Sequence, residues 1–338
     1  MRQTDNTSYN AKRRRKRRLY RLRQRAIELT IMLVCVVAIF LLIRGCANNA
    51  ETDVISSPSS DIVVTPPVLS QMPTLTADTF TLTDEVNAQS AVLIDCTDNT
   101  ILATKDAQAI FYPASITKVM SLLVAIENIE DFNDTFTMTY EIMHPLYLQN
   151  ATIVGFMEDE VIPLTDLLYG AILPSGADAT QALAEYVSGS EAAFAELMND
   201  RAEEMGLQNT HFTNTSGLHD ANHYTCALDM AVILREAMKN DLCRKVLTTH
   251  TYVTQPTEHH PEGIPLANTM IGRVRSNQPD GATIIGGKTG YTNEAGHTMV
   301  SLAEGDNGHD YIFVSLKGTD KYKATNDAIK AYDMFCSE

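Results

Sequence analysis

No His-Glu-x-x-His occurs among the 338 residues, and the six cysteines never fall at the short spacings of a zinc or iron–sulfur site. Cys35 and Cys46 lie in or beside an apolar N-terminal run, while Cys96, Cys226, Cys243 and Cys336 are scattered, so isolated thiols are expected rather than a disulfide framework. His219 and His223 stand four apart with Asp220 between them, but without the glutamate of the zinc-peptidase motif they make no metal site, and His259-His260 reads as a loop. Gly287-Lys288-Thr289 has the form of the end of a phosphate-binding loop, yet position 282 is Ala where that loop needs Gly, and strands follow instead of a helix. There is no internal repeat. No metal and no cofactor is therefore expected.

Basic residues are scarce over most of the chain. Of the 26 lysines and arginines, 12 precede Gly45 together with only 2 of the 42 acidic residues, which leaves 14 basic against 40 acidic beyond it, a net of about −26. A domain so acidic does not seek nucleic acid. The basic run Lys12–Arg18, continued by Arg21, Arg23 and Arg25, abuts an apolar run from Ile27 to Ile43 broken only by Glu28 and Thr30. That length just suffices for one membrane-crossing helix, and the basic flank places the remainder outside the cell. Residues 1–25 then read as a cytoplasmic tail and 26–44 as an uncleaved signal anchor. Lipidation at Cys46 is disfavoured by Arg44, and Asn48-Asn49-Ala50 makes a poor cleavage site.

Residues 45–80 are rich in Ser, Thr, Pro and Asp and read as an extended tether, with the folded domain over 81–338. Within it, the apolar runs 91–95 and 101–103 around Asp98-Asn99 predict a hairpin. Helical spacing predicts helices over 115–129, 165–173, 178–187, 191–205 and 228–238. Strands are expected at 284–287, ending in a turn at Gly290, then at 298–302 and 311–316, with a closing helix over 324–335. Strands at both ends around a helical middle make an α+β fold, one antiparallel sheet assembled from both termini with a helical subdomain inserted.

Three short motifs carry chemistry. In Pro113-Ala114-Ser115-Ile116-Thr117-Lys118, serine and lysine at i and i+3 share one helix face. A serine needs a base to become a nucleophile, and a lysine serves as base only where burial or neighbouring positive charge lowers its pKa. In Pro174-Ser175-Gly176-Ala177 a serine precedes a helix, where it either caps that helix or faces a cleft. In Gly287-Lys288-Thr289-Gly290-Tyr291 a strand edge offers an amine and a hydroxyl, and Gly290 admits close approach to the backbone.

In this order the motifs resemble those of the penicillin-binding serine peptidases and serine β-lactamases, most of all the low-molecular-mass D-alanyl-D-alanine carboxypeptidases. Supporting stretches are Phe194–Asn199, Gly206–Asn214, Ser216-Gly217-Leu218, His223-Tyr224-Thr225 and Asp229-Met230, so the likeness covers roughly residues 85 to 338. It implies the penicillin-binding/serine β-lactamase-like transpeptidase fold and an acyl-enzyme route. Ser115 would attack the carbonyl of the penultimate D-alanine and Lys118 would take its proton. Ser175, helped by Lys288, would pass a proton to the leaving amine, while Lys288 and Thr289 hold the terminal carboxylate. The backbone N–H groups of Ser115 and Tyr291 would receive the oxyanion. The implied partners are peptidoglycan stem peptides, β-lactam antibiotics as covalent inhibitors, and the plasma membrane through the N-terminal helix.

The chain departs from the family's pattern at three points. The second motif usually reads Ser-x-Asn but has Ala177 here; the extra basic residue expected near the last helix is matched only by Lys321 or Lys323; and no C-terminal β-rich domain is expected. A serine β-lactamase would need a deacylating glutamate on a loop, whereas Glu196 falls in a predicted helix. A catalytically weak or inactive wall-binding homologue is the alternative that Ala177 raises.

Overall fold

The computed structural model describes residues 71–274 and 277–336. The basic tail, the predicted anchor at 26–44 and the tether up to residue 70 lie outside the described residues. Among the described residues no helix is long and apolar enough to cross a membrane.

The chain forms β1 (Thr74–Thr81), β2 (Ser90–Asp95) and β3 (Thr100–Lys105), then a 3₁₀ turn (Ala114–Thr117) that runs into α1 (Lys118–Asn128). Next come β4 (Thr135–Thr137), α2 (Tyr140–Leu148), β5 (Val161–Pro163), α3 (Leu164–Ile172), α4 (Ala177–Ser188), α5 (Glu191–Glu204), α6 (Ala227–Lys239) and α7 (Asp241–Thr248). The remainder is β6 (Thr251–Val253), β7 (Pro265–Ala267), α8 (Ile271–Val274), β8 (Ala282–Thr292), β9 (Gly296–Gly305), β10 (Asp310–Gly318) and α9 (Lys321–Phe335). The six long strands make one sheet in the order β1-β3-β2-β10-β9-β8, so both ends of the described chain build it and the helices between them are inserted.

Two features of the sheet differ from the sequence reading. The predicted hairpin is the antiparallel pair β2–β3, but β1 occupies the end of the stretch read as tether and pairs parallel to β3. The connection from Leu82 to Gln89 carries the chain past one strand position, and β3 folds back into that gap, which makes it parallel to β1. The sheet is therefore antiparallel except at this edge. The predicted turn at Gly290 is also absent: β8 runs through it, with Gly290 paired to Thr298 and Tyr291 to His297, and the chain turns only at 293–295.

The central strands β2, β10 and β9 are buried on both faces, which is why they read as unbroken apolar runs rather than as an alternation. Ile312, Val314 and Leu316 of β10 face the helical side, together with Val92 and Ile94 of β2. Tyr311 and Phe313, with Ala91 and Leu93, face the opposite side under α9. At the centre of the first layer lies α1, buried at every residue from Lys118 to Ile126. A helix apolar all round belongs in a core, and here it holds the motif-bearing turn rigidly at the edge of the sheet. Helix starts follow capping chemistry: Ser190 Oγ accepts from Ala193 N at 3.1 Å before α5, and Asn240 Oδ1 from Leu242 N at 2.9 Å before α7. α7 and α2 escape periodicity because the first is only two turns long and the second contains Pro145.

Candidate active site

Ser115 sits on the 3₁₀ turn, one residue after Ala114, whose φ of +50° is unusual for a residue with a Cβ. The turn is held from two sides. Thr298 Oγ1 of β9 donates to Pro113 O at 2.8 Å. Gly290 of β8 passes so close that a Cβ there would lie 2.7 Å from Ser115 N and 2.5 Å from Thr298 Oγ1. This approach, rather than a turn, is what the glycine allows. On the other flank Gly217, at φ +81°, touches the turn so closely that a Cβ would fall 1.8 Å from Ala114 O.

Lys118 opens α1 and is 2% exposed. Its Nζ lies 3.1 Å from Ser115 Oγ and donates to Ser216 O at 2.6 Å. Burial strips water from the ammonium and pushes its pKa down to about 7, while the carboxylates of Asp178 and Glu191 act in the opposite sense. On β8, Lys288 is 1% exposed, and its Nζ lies 2.9 Å from Ser175 Oγ and donates to Thr289 O at 2.7 Å. Burial again lowers its pKa, and here the neighbouring charges of Lys118 and Arg273 lower it further. Ser175 itself is nearly buried with φ at +73°, a strained setting for a serine. The structure thus places the Ser115–Lys118 and Ser175–Lys288 pairs near one another beside β8, close enough for the charge of Lys118 to act on Lys288. Thr289 is buried with Oγ1 at 3.3 Å from Thr269 Oγ1, whereas Tyr291 is exposed with its ring against that of His297.

The site is completed by residues that the motifs alone do not reveal. Asn214 Oδ1 accepts from Gly217 N at 2.7 Å and Ser216 N at 3.2 Å, an Asx turn that presents Ser216 O to Lys118. Asn followed three residues later by Gly was the available signal. Besides Lys118, the basic group that acts on Lys288 is Arg273 of α8, while Lys321 and Lys323 are exposed in the first turn of α9. At the position of the missing amide, Ala177 is buried and its N–H donates to Thr152 O at 2.8 Å. The adjacent Asp178 carboxylate is occupied, accepting from Val154 N at 2.8 Å, Gly155 N at 3.1 Å and Ala179 N at 2.9 Å. It therefore cannot stand in for an asparagine side chain.

The histidines are not gathered for a metal. His223 is buried and kept neutral, its pKa lowered to about 4 by burial. Its Nδ1 accepts from Thr213 N at 3.0 Å, so the ring proton is on Nε2 and donates to Thr117 Oγ1 at 2.8 Å. His219 instead packs edge-on against Tyr112. Among the described residues, the side chains close enough to share an ion are Asp95, Asp98 and His309, where His309 Nδ1 already pairs with Asp95 Oδ2 at 2.7 Å. Glu196 is exposed on α5. The four described cysteines are free.

Comparison with known proteins agrees with this geometry. The family described as D-alanyl-D-alanine carboxypeptidase matches residues 76–319. D-alanyl-D-alanine carboxypeptidase DacF of Bacillus subtilis is 32% identical over 220 residues, covering 65% of this chain and 55% of its own length. DacA of Escherichia coli K12 is 30% identical over 226 residues, covering 65% and 53%. The chain thus spans little more than half the length of these relatives. Among solved structures, the Streptomyces K15 DD-transpeptidase superposes with a TM-score of 0.66 at 27% identity, covering 74% of this chain and 97% of that one. The D-alanyl-D-alanine carboxypeptidase of Mycobacterium tuberculosis H37Rv gives 0.65 at 26% identity, covering 79% and 94%.

The depressed Lys118 pKa has a consequence for stability. In the unfolded chain the amine titrates near its ordinary 10.5, and in the folded protein near 7. Between these values the unfolded state binds the extra proton, so stability rises with pH across that window, and below about pH 7 the whole cost of the buried charge is present. Lys118→Met is expected to stabilise the fold, and its advantage should shrink by about 3 kcal/mol between roughly pH 6.5 and pH 9.5. Urea denaturation at the two pH values checks this, and an advantage independent of pH contradicts it.

Proposed function

Since the chain belongs to the D-alanyl-D-alanine carboxypeptidase family, we propose that it is a serine-type carboxypeptidase that removes the terminal D-alanine from peptidoglycan stem peptides and is acylated by penicillins. The observation that carries this reading is the convergence of two serine–lysine pairs, Ser115 with Lys118 at 3.1 Å and Ser175 with Lys288 at 2.9 Å, on the edge of one strand. A lysine that is half neutral near pH 7 can accept a proton from Ser115 Oγ as it attacks the carbonyl of the penultimate D-alanine. The oxyanion that forms would be received by the backbone N–H groups of Ser115 and Tyr291, on the two sides of the seam that Gly290 closes. Collapse of the tetrahedral adduct breaks the peptide bond, and the departing amine takes a proton through Ser175, which Lys288 holds in place. The acyl group on Ser115 is then released by water. Lys288 and Thr289 would hold the free carboxylate of the substrate, with the guanidinium of Arg273 adding positive potential from α8. β-Lactams follow the same first step and remain attached to Ser115.

Ala177 sets the rate rather than the chemistry. An amide there would hydrogen-bond the substrate, and the loss of one such bond weakens transition-state binding by about 1.5–3 kcal/mol, a factor of roughly ten to a hundred. The two serine–lysine pairs remain, so a slow enzyme is expected rather than an inert wall-binding module. The assay is D-alanine release from a peptide ending in D-Ala-D-Ala. The wild type should release D-alanine, Ser115→Ala should not, and Ala177→Asn should release it about tenfold faster. Absence of release from both the folded wild type and Ala177→Asn would favour the binding module.

The basic run before the apolar segment 27–43 supports a single-pass membrane anchor with the catalytic part outside the cell. Protease added to intact protoplasts should remove that part, and its full protection would rule this topology out.

A further inference from the structure

The carbonyl that orients Lys118 does not stand by itself. Ser216 O, 2.6 Å from Lys118 Nζ, belongs to a loop whose preceding residue is gripped by a carboxylate from the start of α5. Glu191 Oε1 accepts from Thr215 N at 3.0 Å and from Thr215 Oγ1 at 2.8 Å. Its other oxygen accepts from Gln181 Nε2 of α4 at 3.0 Å, which fixes the rotamer. The opposite side of the loop is tied to α1, where Ser121 Oγ donates to Thr215 O at 2.7 Å. Thr215 and Ser216 are both fully enclosed, so the loop has no freedom to find other partners.

We propose that Glu191 is a positioning residue for the base of the reaction: it clamps Thr215 so that Ser216 O holds the Lys118 amine toward Ser115, and it contributes one of the negative charges around that amine. The inference rests on the carboxypeptidase reading above. Glu191 touches neither the substrate nor the reacting atoms. It acts through Thr215 and Ser216 mechanically, and through space electrostatically.

The charged groups around Lys118 are few. Asp178 of α4 and Glu191 of α5 favour its ammonium form. The charge of Lys118 in turn lowers the pKa of Lys288 of β8, and His223, on the loop beneath the 3₁₀ turn, is neutral. Asp178 also supports the loop at Val154–Gly155, so its removal would disturb two things together. Glu191 offers a cleaner separation, because Gln keeps an oxygen that can accept from Thr215 while removing the charge.

The test is the rate of acylation by a fluorescent penicillin as a function of pH, on the full chain, for the wild type, Glu191→Gln and Glu191→Ala. Removing the charge makes the neutral amine easier to reach, so the acid limb for Glu191→Gln should move down by about half a pH unit, with the alkaline plateau kept within about threefold. Glu191→Ala also releases Thr215 and should lose about tenfold on the plateau as well. Thermal unfolding identifies a variant that fails to fold, in which case Glu191→Gln alone decides. A wild type that is not acylated at all refutes the carboxypeptidase reading. A wild type that is acylated, with a Glu191→Gln profile superimposed on its own, overturns the role given to Glu191.

Discussion

Lys118 and Lys288 are each at most 2% exposed, and each ammonium taken out of water costs several kcal/mol unless it is neutralised or paired. They lie close enough for the charge of Lys118 to act on Lys288. The protein gives the two amines different surroundings. Lys118 has the carboxylates of Asp178 and Glu191 in its field and is poised near neutrality. Lys288 has the cations Lys118 and Arg273 in its field, and burial together with both charges lowers its pKa.

Such a site requires a wall that does not move, and the fold provides it from both chain ends. The 3₁₀ turn bearing Ser115 is wedged between the edge strand β8, the Thr298 hydroxyl of β9 and the Ser216–Gly217 loop. Gly290 and Gly217 are the points where side chains would force these parts from one another. Behind the turn, α1 is buried at every residue from Lys118 to Ile126, so Lys118 issues from a helix held on all sides. Ala114 and Ser175, beside the two serine–lysine pairs, are among the residues held at positive φ, where positioning outweighs local comfort.

Much of this was legible in the sequence, for reasons that differ by element. The helices over α3 to α6 repeat their apolar residues at a helical period, and β2, β9 and β10 form dense β-branched and aromatic runs. The resemblance at three motifs singled out Ser115, Lys118, Ser175 and Lys288, and the structure brings these four together. Other features had no local signal. Pairing of β1 with β3 depends on where β3 returns, and Thr74–Thr81 is mostly exposed, so it carries little pattern. Gly290 looked like a turn because glycine marks turns and close approaches alike, and only the partner, Ser115 N, distinguishes them. Glu191, Asn214 and Ser216 act on Lys118 through contacts separated by 70 to 100 residues of chain, and Arg273 acts on Lys288 from a one-turn helix.

We propose Ser115, served by the buried amine of Lys118, as the nucleophile. Intact-mass and peptide-level mass spectrometry of the purified protein after brief exposure to benzylpenicillin tests it most directly. One penicilloyl group per chain, carried on the peptide containing Ser115, is the predicted result. An adduct on any other residue, or none on correctly folded protein, would contradict it.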